Sequence, residues 1–319
     1  MLAAGSPRTP PASLELEVDG EARVEVLDDA WSDRLRCDHP DIEEGVGLGM
    51  ALLDLASHRR RGRVVVITRD RIGSGLLAAG YRPEAILPGF YRGEEDAVIF
   101  GAFPNPTRAH PQDARALASV KRLVFHSEPH LAPESHPAFT SERASSGDAE
   151  DIASLLASTF PLYPTPTGDS AFIRREILQG MPFRVVRVEG RTVACASASL
   201  VPSALAAELS DCATHPSLRG RGLMQGLLSD LLDDLAALGI RKPFTLCRAR
   251  IPGVNIAFKR LGFRYRGTMT SSCRIGTGIE DMNVWSGPTL GPCDRARRPD
   301  PRPIRSCRSG CTGSPRRCR

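Results

Sequence analysis

The chain has 319 residues, of which 41% are apolar, so it is long enough for two domains with buried cores. No apolar run approaches the roughly eighteen residues of a membrane span, and the N-terminal stretch lacks the apolar block of a signal peptide, so we expect a cytoplasmic protein with no membrane partner. The net charge of +5 does not indicate a nucleic-acid partner, because residues 289–319 hold nine arginines and two aspartates and leave the rest slightly acidic.

The N-terminal part, Ala22 to Phe103, alternates strand-like and helix-like patterns. The pattern predicts a strand, a helix, a buried strand, a second helix and two closing strands. The helices are Ile42–His58 and Arg71–Ala79, with the strand Arg63–Thr68 between them. We assign residues 21–104 to this α/β domain and interpret the proline- and histidine-rich residues 105–137 as a linker. Residues 1–20 are expected to be disordered.

A second alternation over residues 138–287 predicts a larger domain. Its expected helices are Asp148–Phe160, Ser170–Gln179, a leucine-rich helix from Leu223 to Leu238, and Asn255–Leu261. Its expected strands lie near Phe139 and over Phe183–Val188, Thr192–Val201, Glu208–Thr214, Phe244–Arg250, Phe263–Ser271 and Asp281–Trp285. Residues 288–319 are rich in arginine and proline and nearly devoid of apolar residues, which predicts a disordered tail.

A glycine-rich turn, Leu218–Met224, joins one of these strands to the leucine-rich helix. The first N–H groups of a helix lack internal partners and carry partial positive charge, so they favour an anion. Gly220 and Gly222 let the backbone approach such a ligand, and Arg219 and Arg221 can donate to phosphate oxygens. A tight turn with two solvated arginines would give the same pattern, so the turn alone leaves both interpretations open.

The nine cysteines are odd in number and scattered along the chain. Cys195, Cys212 and Cys247 fall in apolar strand patterns, which predicts buried, reduced thiols. Three cysteines near the C-terminus, Cys307, Cys311 and Cys318, have no paired C-x-x-C spacing, so we expect no metal site.

The glycine turn resembles the acetyl-CoA signature of the GNAT acetyltransferases, Arg-x-x-Gly-x-Gly/Ala. Arg219 and Gly222 match it, whereas Met224 stands where a small residue is usual. The order of elements is also that of GNAT proteins, which implies an α/β (α+β) fold: a mixed, mostly antiparallel sheet flanked by helices, preceded by a smaller, degenerate GNAT-like half. The resemblance implies acetyl-CoA as co-substrate. Its expected contacts are Cys212, Ala213, Thr214, Arg219, Gly220, Arg221, Gly222, Leu223, Met224, Asn255 and Phe258.

Within that superfamily, the runs Ala249–Tyr265, Glu208–Thr214, Gly278–Trp285 and Pro88–Tyr91 resemble the β-lysine N-acetyltransferases. The resemblance implies that the partner is a small diamino acid, β-lysine, acetylated on its terminal amine to give a compatible solute. It also implies a functional link to a lysine aminomutase. Another small amine, a protein lysine, or a non-catalytic acyl-CoA-binding role remain alternatives, and the sequence leaves a homodimer open.

The two halves of the chain echo each other. Ala78–Arg82 followed by Glu95–Phe100 is similar to Arg260–Arg264 followed by Glu280–Trp285. We interpret the echo as a degenerate internal duplication. The N-terminal copy has no counterpart of the glycine turn, so we expect it to bind no second acetyl-CoA and instead to complete the core or wall the substrate pocket.

Aminolysis of a thioester needs a base, because a lysine-like amine with a pKa of about 10.4 is a non-nucleophilic ammonium near neutrality. Some GNAT enzymes carry a glutamate base at the strand position of Glu208, which makes Glu208 our first catalytic candidate. Asp211 is the second, as a base or as an anchor for an ammonium group. Regular strand alternation would place the two carboxylates on opposite faces, unless a bulge intervenes.

The remaining site residues follow from the expected fold. Backbone N–H groups of Cys212 to Thr214 are expected to polarise the thioester carbonyl. Phe258 stands where many GNAT enzymes have a tyrosine that protonates the leaving thiolate. For the substrate, Arg248 and Arg250 share a strand face and are candidates for its carboxylate, while prolines fix Tyr163 in the expected lid loop.

Overall fold

A computed structural model describes residues 11–20, 22–127, 139–160 and 162–291. The N-terminal half, residues 12–102, comprises β1 (Ala12–Val18), β2 (Ala22–Asp29), β3 (Arg34–Asp38), α1 (Gly45–Arg59), β4 (Arg63–Arg69), α2 (Gly73–Ala78), β5 (Arg82–Tyr91) and β6 (Glu95–Ala102). The C-terminal half, residues 141–286, follows helix α3 (Ala114–His126) and comprises β7 (Ser141–Arg143), α4 (Ala149–Thr159), α5 (Ser170–Leu178), β8 (Phe183–Val188), β9 (Arg191–Val201), β10 (Ala206–Thr214), α6 (Leu223–Ala237), β11 (Lys242–Arg248), α7 (Pro252–Arg260), β12 (Arg264–Ile275) and β13 (Gly278–Ser286).

All the strands join one 13-stranded sheet in the order β1-β2-β3-β4-β6-β5-β12-β13-β11-β10-β9-β8-β7. With β7 left out, the two halves have the same strand order from the sheet edge to its centre: β1-β2-β3-β4-β6-β5 in the N-terminal half and β8-β9-β10-β11-β13-β12 in the C-terminal half. In each half one pair is parallel, β3 with β4 and β10 with β11, and the other pairs are antiparallel. A helix links each parallel pair, as parallel connections require. The sheet is therefore mixed and mostly antiparallel, as the sequence predicts.

Helix α6 shows why these sequences adopt these elements. Leu227, Leu228, Leu231 and Leu235 recur at helical spacing and are fully buried against the sheet. Each such side chain contributes roughly 1.5–3 kcal/mol of burial free energy. The helix ends just before Gly239, which lies in the left-handed region with φ +79° and begins the turn into β11.

The two halves meet at a seam formed by β5 and β12. The strands pair at Ala85 and Gly267, and a Cβ on Gly267 would collide with the Glu84 carbonyl oxygen and with Ala85. Side chains from both halves share one buried cluster here, including Leu87 and Phe90 from the N-terminal half and Phe244 from the C-terminal half. The halves are therefore not separate globules joined by a hinge.

Polar side chains of the N-terminal half and of the segment after it also bind the backbone of β12. Arg34 Nη1 donates to the Ser272 carbonyl (3.0 Å), and Arg108 Nη2 donates to the Ser271 carbonyl (2.6 Å). Glu84 accepts a hydrogen bond from the Thr270 amide at 2.8 Å. This stretch of β12 is bulged, so these side chains satisfy backbone groups that the irregular pairing leaves open.

Two sequence-based predictions are wrong where the structure describes the chain. Residues 12–18, expected to be disordered, form edge strand β1, which pairs with β2 along its whole length. The presumed linker 105–137 contains α3, which packs against α7 and ends where Lys259 Nζ caps the carbonyls of Val124, Phe125 and Ser127 at 2.9, 2.8 and 2.7 Å. Residues 1–10, 128–138 and 292–319, including the predicted disordered tail with Cys307, Cys311 and Cys318, lie outside the described residues.

The cysteines within the described part of the chain are free, and those predicted to be buried are largely so. Cys195 and Cys247 are buried, whereas Cys212 is partly accessible. Among the helices that the structure describes, none is both long and apolar enough to cross a membrane.

Candidate active site

A cleft of about 900 Å³ opens where strand β10 separates from β11. The start of α6 and the loop after α4 line it on the C-terminal side, and strands β2 and β3 of the N-terminal half line it on the other. Both predicted carboxylates, Glu208 and Asp211, face this cleft. The site is therefore built by both halves of the chain.

The separation of β10 from β11 creates the cleft. The two strands pair in parallel only from Ala206 to Glu208 on β10. Beyond Glu208 the backbone pairing stops. The next contact between the two strands is made by a side chain, since Thr245 Oγ1 donates to the Leu209 carbonyl at 2.8 Å. A narrow, extended ligand can therefore enter between the strands and form hydrogen bonds with backbone groups that the strands do not share.

A β-bulge in β10 brings the two carboxylates to the same cleft. The register with β9 shifts between Ser210 and Ala213, and Asp211 adopts a left-handed conformation with φ +49°. Simple alternation, which would place Glu208 and Asp211 on opposite faces, therefore does not hold here, and the exception that the sequence allows for a bulge applies. A non-glycine residue in this region costs about 1–3 kcal/mol, and such strain concentrates at functional sites.

The glycine turn adopts the conformation that its residues favour. Gly220 and Gly222 have φ values of +78° and +76°, and no heavy atom lies within 4 Å of where a Cβ on Gly220 would be. Gly222 is the N-cap of α6 and offers no side-chain acceptor, so the first N–H groups of α6 are left for another partner. Arg219 Nε donates to the Thr214 carbonyl (3.1 Å), which ties the turn to the end of β10.

Glu208 has the electrostatics expected of a base that works near neutrality. The pKa of Glu208 is raised to about 6, chiefly because the side chain is buried, while the charge of Arg36 lowers it and that of Asp38 raises it. A carboxyl with this pKa is largely ionised at pH 7 and can still accept a proton readily. Arg36 and Asp38 belong to β3, so the N-terminal half adjusts the proton affinity of Glu208.

Asp211 is held more tightly than Glu208. Its Oδ2 accepts a hydrogen bond from Ser197 Oγ at 2.6 Å, and its side chain is 8% exposed. Burial raises the pKa of Asp211, while the hydrogen bonds from Ser197 and Ser210 lower it. A carboxylate fixed in this way can orient an ammonium group or share the proton-accepting task with Glu208.

Most residues expected to contact acetyl-CoA do reach the cleft. Those that line it are Cys212, Thr214, Arg219, Gly220, Gly222, Leu223, Met224 and Phe258. Ala213 is buried within the sheet, Arg221 is exposed outside the cleft, and Asn255 is buried elsewhere. The open backbone over Gly220, the unpaired N–H groups of α6 and the gap between β10 and β11 together suit a ligand with phosphates at one end and an extended chain at the other.

Asn255, which the resemblance predicts to contact acetyl-CoA, lies outside the cleft lining, and its side chain is hydrogen-bonded within the protein. Its Nδ2 donates to the carbonyls of Arg248 (3.0 Å) and Ile251 (2.7 Å), and its Oδ1 accepts from Asn283 (3.0 Å) and Trp285 (2.9 Å). These four bonds use the full capacity of the amide. Asn255 therefore locks α7 to β11 and β13 beneath the cleft.

Arg248 and Arg250 are only partly where the sequence places them. Both form ion pairs with the buried Glu280, Arg248 through Nη2 at 2.8 Å. Arg248 lines the cleft, but Arg250 lies past the end of β11 and does not. A shared carboxylate already engages both guanidinium groups, which makes them weaker candidates for a substrate carboxylate.

Tyr163 lies in the loop after α4 and lines the cleft. Its ring packs against Phe160 with centroids 5.0 Å apart, and burial raises its pKa well above the usual value. The carbonyl of Leu162 in the same loop accepts from the Gly276 amide at 2.7 Å, which fixes the loop to the β12–β13 turn. This placement agrees with a wall for the substrate.

The sequence allows the N-terminal half to wall the substrate pocket, but it does not identify the residues of β2 and β3 that do so. Asp29, Arg34 and Arg36 line the cleft opposite Glu208. The alternation Arg34-Leu35-Arg36-Cys37-Asp38, with charges on one face of a strand and apolar residues on the other, was the available signal. The folding of β3 back toward β10 depends on the curvature of the whole sheet, which no local pattern reveals.

The chain is similar to known acetyltransferases. The chain is 31% identical over 259 residues to the β-lysine N(6)-acetyltransferase of Methanosarcina mazei, covering 74% of this chain and 94% of that protein. It is 27% identical to the N-acetyltransferase YodP of Bacillus subtilis over 72% of this chain and 83% of that one. Among solved structures, a GNAT phosphinothricin acetyltransferase of Sinorhizobium meliloti is 24% identical with a TM-score of 0.42, covering 51% of this chain and 94% of that one.

Residues 149–263 match the model of the acetyltransferase (GNAT) family, a range that includes the bulged strand, the glycine turn and α6. With that match and an alignment over nearly the full length of the first relative, the chain belongs to the GNAT family and is an acetyl-CoA-dependent N-acetyltransferase.

Proposed function

We propose that this chain acetylates the terminal amine of β-lysine. The observation that carries the proposal is the placement of Glu208, a carboxyl with a pKa of about 6, at the point where β10 leaves β11. The substrate itself is suggested by the similarity to a β-lysine N(6)-acetyltransferase along nearly all of that relative's length.

In the proposed reaction Glu208 accepts a proton from the terminal ammonium, directly or through water. The freed amine then forms a bond with the acetyl carbon. As the bond from that carbon to sulfur breaks, the nitrogen gives up its second proton and the leaving thiolate takes up one proton, directly or through solvent. The proton held by Glu208 is then released to solvent, so the products are the amide, the free thiol and one proton. Acetyl-CoA supplies the acetyl group as an activated thioester. The backbone N–H groups of Cys212 to Thr214 are our candidates for polarising the carbonyl.

Direct attack by the amine fits the cleft better than transfer through a cysteine. Burial raises the pKa of Cys247 to about 12 and that of Cys212 well above its usual value. Both thiols are therefore protonated near neutrality, and the thiolate is the nucleophilic form. An acyl-cysteine route would need a nearby base or cation to lower these pKa values.

The product would suit a compatible solute. β-Lysine at neutral pH carries two ammonium groups and one carboxylate, so acetylation of one amine leaves a molecule without net charge. An aminomutase acting on lysine would supply the acceptor. In cells, a strain lacking this protein is expected to lose N-acetyl-β-lysine after a rise in external salt, which metabolite analysis can measure.

Thiol release from acetyl-CoA by the purified protein tests the proposal, with β-lysine, α-lysine, a polyamine and no acceptor in parallel. Release selective for β-lysine is the expected result. Selective release with another small amine or with a protein lysine would overturn the substrate assignment and keep the chemistry. Acetyl-CoA binding without turnover on any amine would favour a non-catalytic acyl-CoA-binding role.

A further inference from the structure

The N-terminal half contributes a group of charged side chains to the substrate side of the cleft. Asp29 lies at the end of β2, and Arg34 and Arg36 lie on β3, opposite Glu208 on β10. Arg36 and Glu208 line the same cleft, and the charge of Arg36 lowers the pKa of Glu208. Asp29, Arg34 and Arg36 lie outside residues 149–263, the range that the family model matches.

Arg34 and Arg248, two of the other arginines that line the cleft, are each held by the protein through an Nη group. Arg34 donates through Nε to Asp29 and through Nη1 to the Ser272 carbonyl, both at 3.0 Å, so it serves the structure of the seam. Arg248 is bound by Glu280 through Nη2. Both therefore have an end of the guanidinium committed to the protein.

Arg36 is held through Nε instead of through an Nη group. Its Nε donates to the two carboxylate oxygens of Asp38 at 2.8 and 2.6 Å, and the described residues provide no hydrogen-bond partner for Nη1 or Nη2. The side chain is 18% exposed. The two Nη groups thus form a fixed, unused pair of donors inside the cleft, which is the geometry that a carboxylate accepts in bidentate fashion.

The charges around Arg36 also favour an amino acid over a polyamine. Arg36 with Asp38 and Arg34 with Asp29 present both signs close together. A zwitterionic head group, with one carboxylate and one ammonium, can pair with both signs, whereas a polyamine brings only positive charge. The terminal amine at the other end of such a substrate is then free to reach Glu208.

We propose that Arg36 binds the carboxylate of the acceptor, so that the N-terminal half selects free amino acids over amines without a carboxylate. The inference rests on the proposed function, because it takes an amino acid with a distal amine as the acceptor. It gives the N-terminal half a role in substrate recognition that is separate from acetyl-CoA binding.

The test compares β-lysine with its carboxamide in the wild type and in Arg36→Gln, Arg36→Lys and Arg23→Gln. The carboxamide keeps both amines and loses only the negative charge. In Arg36→Gln we expect kcat/KM for β-lysine to fall about 10- to 100-fold, mainly through KM, with the carboxamide changed less than about threefold. Arg36→Lys should recover part of the loss.

Arg23 is an exposed arginine paired with Glu15 on the same sheet, and Arg23→Gln should resemble the wild type for both acceptors.

Assays should be run well above pH 6, because removing Arg36 also raises the pKa of Glu208 and would slow both acceptors at lower pH. Calorimetric titration of β-lysine into the protein gives a second readout, in which the Kd should rise in Arg36→Gln and not in Arg23→Gln. Equal losses for β-lysine and the carboxamide, or no loss for either, would overturn the role of Arg36.

The outcome also separates this inference from the proposed function. If the wild type acetylates β-lysine and its carboxamide equally well, the function stands and carboxylate recognition fails. If the wild type ignores β-lysine and acetylates another amino acid, the substrate assignment fails. The same acid-and-amide comparison on that acceptor then decides whether Arg36 reads the carboxylate. If only amines without a carboxylate are acetylated, both proposals fail.

Discussion

Glu208 is the last residue of β10 that pairs with β11, and its pKa is raised to about 6, chiefly by burial. A proton acceptor of this kind is useful only when it is ionised. As the pH falls through about 6, Glu208 becomes protonated and can no longer take the proton of the acceptor ammonium. Activity is therefore expected to fall on the acid side as Glu208 is protonated, because the acceptor enters as an ammonium throughout this range.

Glu208→Gln tests this role. We expect kcat to fall about 10²- to 10⁴-fold, because the glutamine cannot accept the proton, and the acid limb of the pH profile to disappear. Thiol release measured from about pH 5 to pH 8 gives both quantities. Glu150→Gln, at an exposed glutamate in the first turn of α4, is the matched control and should behave as wild type. Nearly normal turnover in Glu208→Gln would transfer the role of base to Asp211.

Asn255 illustrates how a residue in a family motif can act through structure alone. Asn255→Ala removes the acceptor for Asn283 and Trp285, two donors in the buried layer between α7 and β13. Each donor left unsatisfied costs about 1–3 kcal/mol, so we expect a clear loss of unfolding free energy. Chemical denaturation measures that loss. The KM for acetyl-CoA of the folded protein should stay within about threefold of wild type, and a large rise in KM with unchanged stability would contradict the structural role.

The turn between β10 and α6 carries the sequence pattern that resembles an acetyl-CoA signature. Gly220→Ala tests whether the turn needs an open backbone for its ligand or only for its own conformation. With φ +78° and empty space around it, Gly220 should tolerate a Cβ at a strain of about 1–2 kcal/mol. If acetyl-CoA lies over this backbone, the added methyl group should also raise the Kd for acetyl-CoA.

Gly190→Ala is the matched control for that prediction. Gly190 lies in the turn between β8 and β9, with φ +76° and likewise no heavy atom near its would-be Cβ. The two variants should lose similar unfolding free energy, and only Gly220→Ala should weaken acetyl-CoA binding in calorimetry. Equal Kd values in the two variants would show that the ligand does not approach Gly220.

Elements with a strong repeating pattern were predictable, and irregular ones were not. The leucines of α6 and the Glu189-Gly190 hairpin gave the correct boundaries to within a few residues, because burial and turn conformation act locally. The bulge at Asp211 could not be predicted, since it arises from how β10 pairs with β9 on one side and leaves β11 on the other. Strand β1 was missed for a related reason: an edge strand with exposed, charged alternation resembles a disordered segment until its partner is known.

At the scale of the whole molecule, the two halves share a strand order and one sheet. The echo between Gly80-Tyr81-Arg82 and Gly262-Phe263-Arg264 therefore coincides with equivalent places in the topology, at the starts of β5 and β12. In the N-terminal half, β3 and β4 correspond to β10 and β11, and they stay paired where β10 and β11 separate. Strand β3 pairs with β4 from Arg34 to Asp38, and the His39 amide continues the ladder to the Ile67 carbonyl at 2.7 Å. This closure agrees with our proposal that the N-terminal half binds no acetyl-CoA.

The seam between the halves should accordingly govern both stability and substrate recognition. Because one buried cluster contains side chains from both halves, we expect a single unfolding transition. Gly267→Ala would place a Cβ against the Glu84 carbonyl oxygen and force β5 away from β12. We expect it to lower the free energy of unfolding by about 3 kcal/mol or more. Gly276→Ala, in the open β12–β13 turn with φ +67°, should cost only about 1–2 kcal/mol.

The same pair of variants separates the two ligands of the cleft. Acetyl-CoA is expected to contact only the C-terminal half, so its Kd should change little in folded Gly267→Ala. β-Lysine is expected to bridge Glu208 on one side of the seam and Arg36 on the other, so a displaced β5 should raise its KM and reduce the preference for β-lysine over its carboxamide. Thiol-release kinetics with both acceptors, alongside calorimetry with acetyl-CoA, measure these effects. A Gly267→Ala protein that loses stability but keeps that preference would show that the acceptor is bound within the C-terminal half alone.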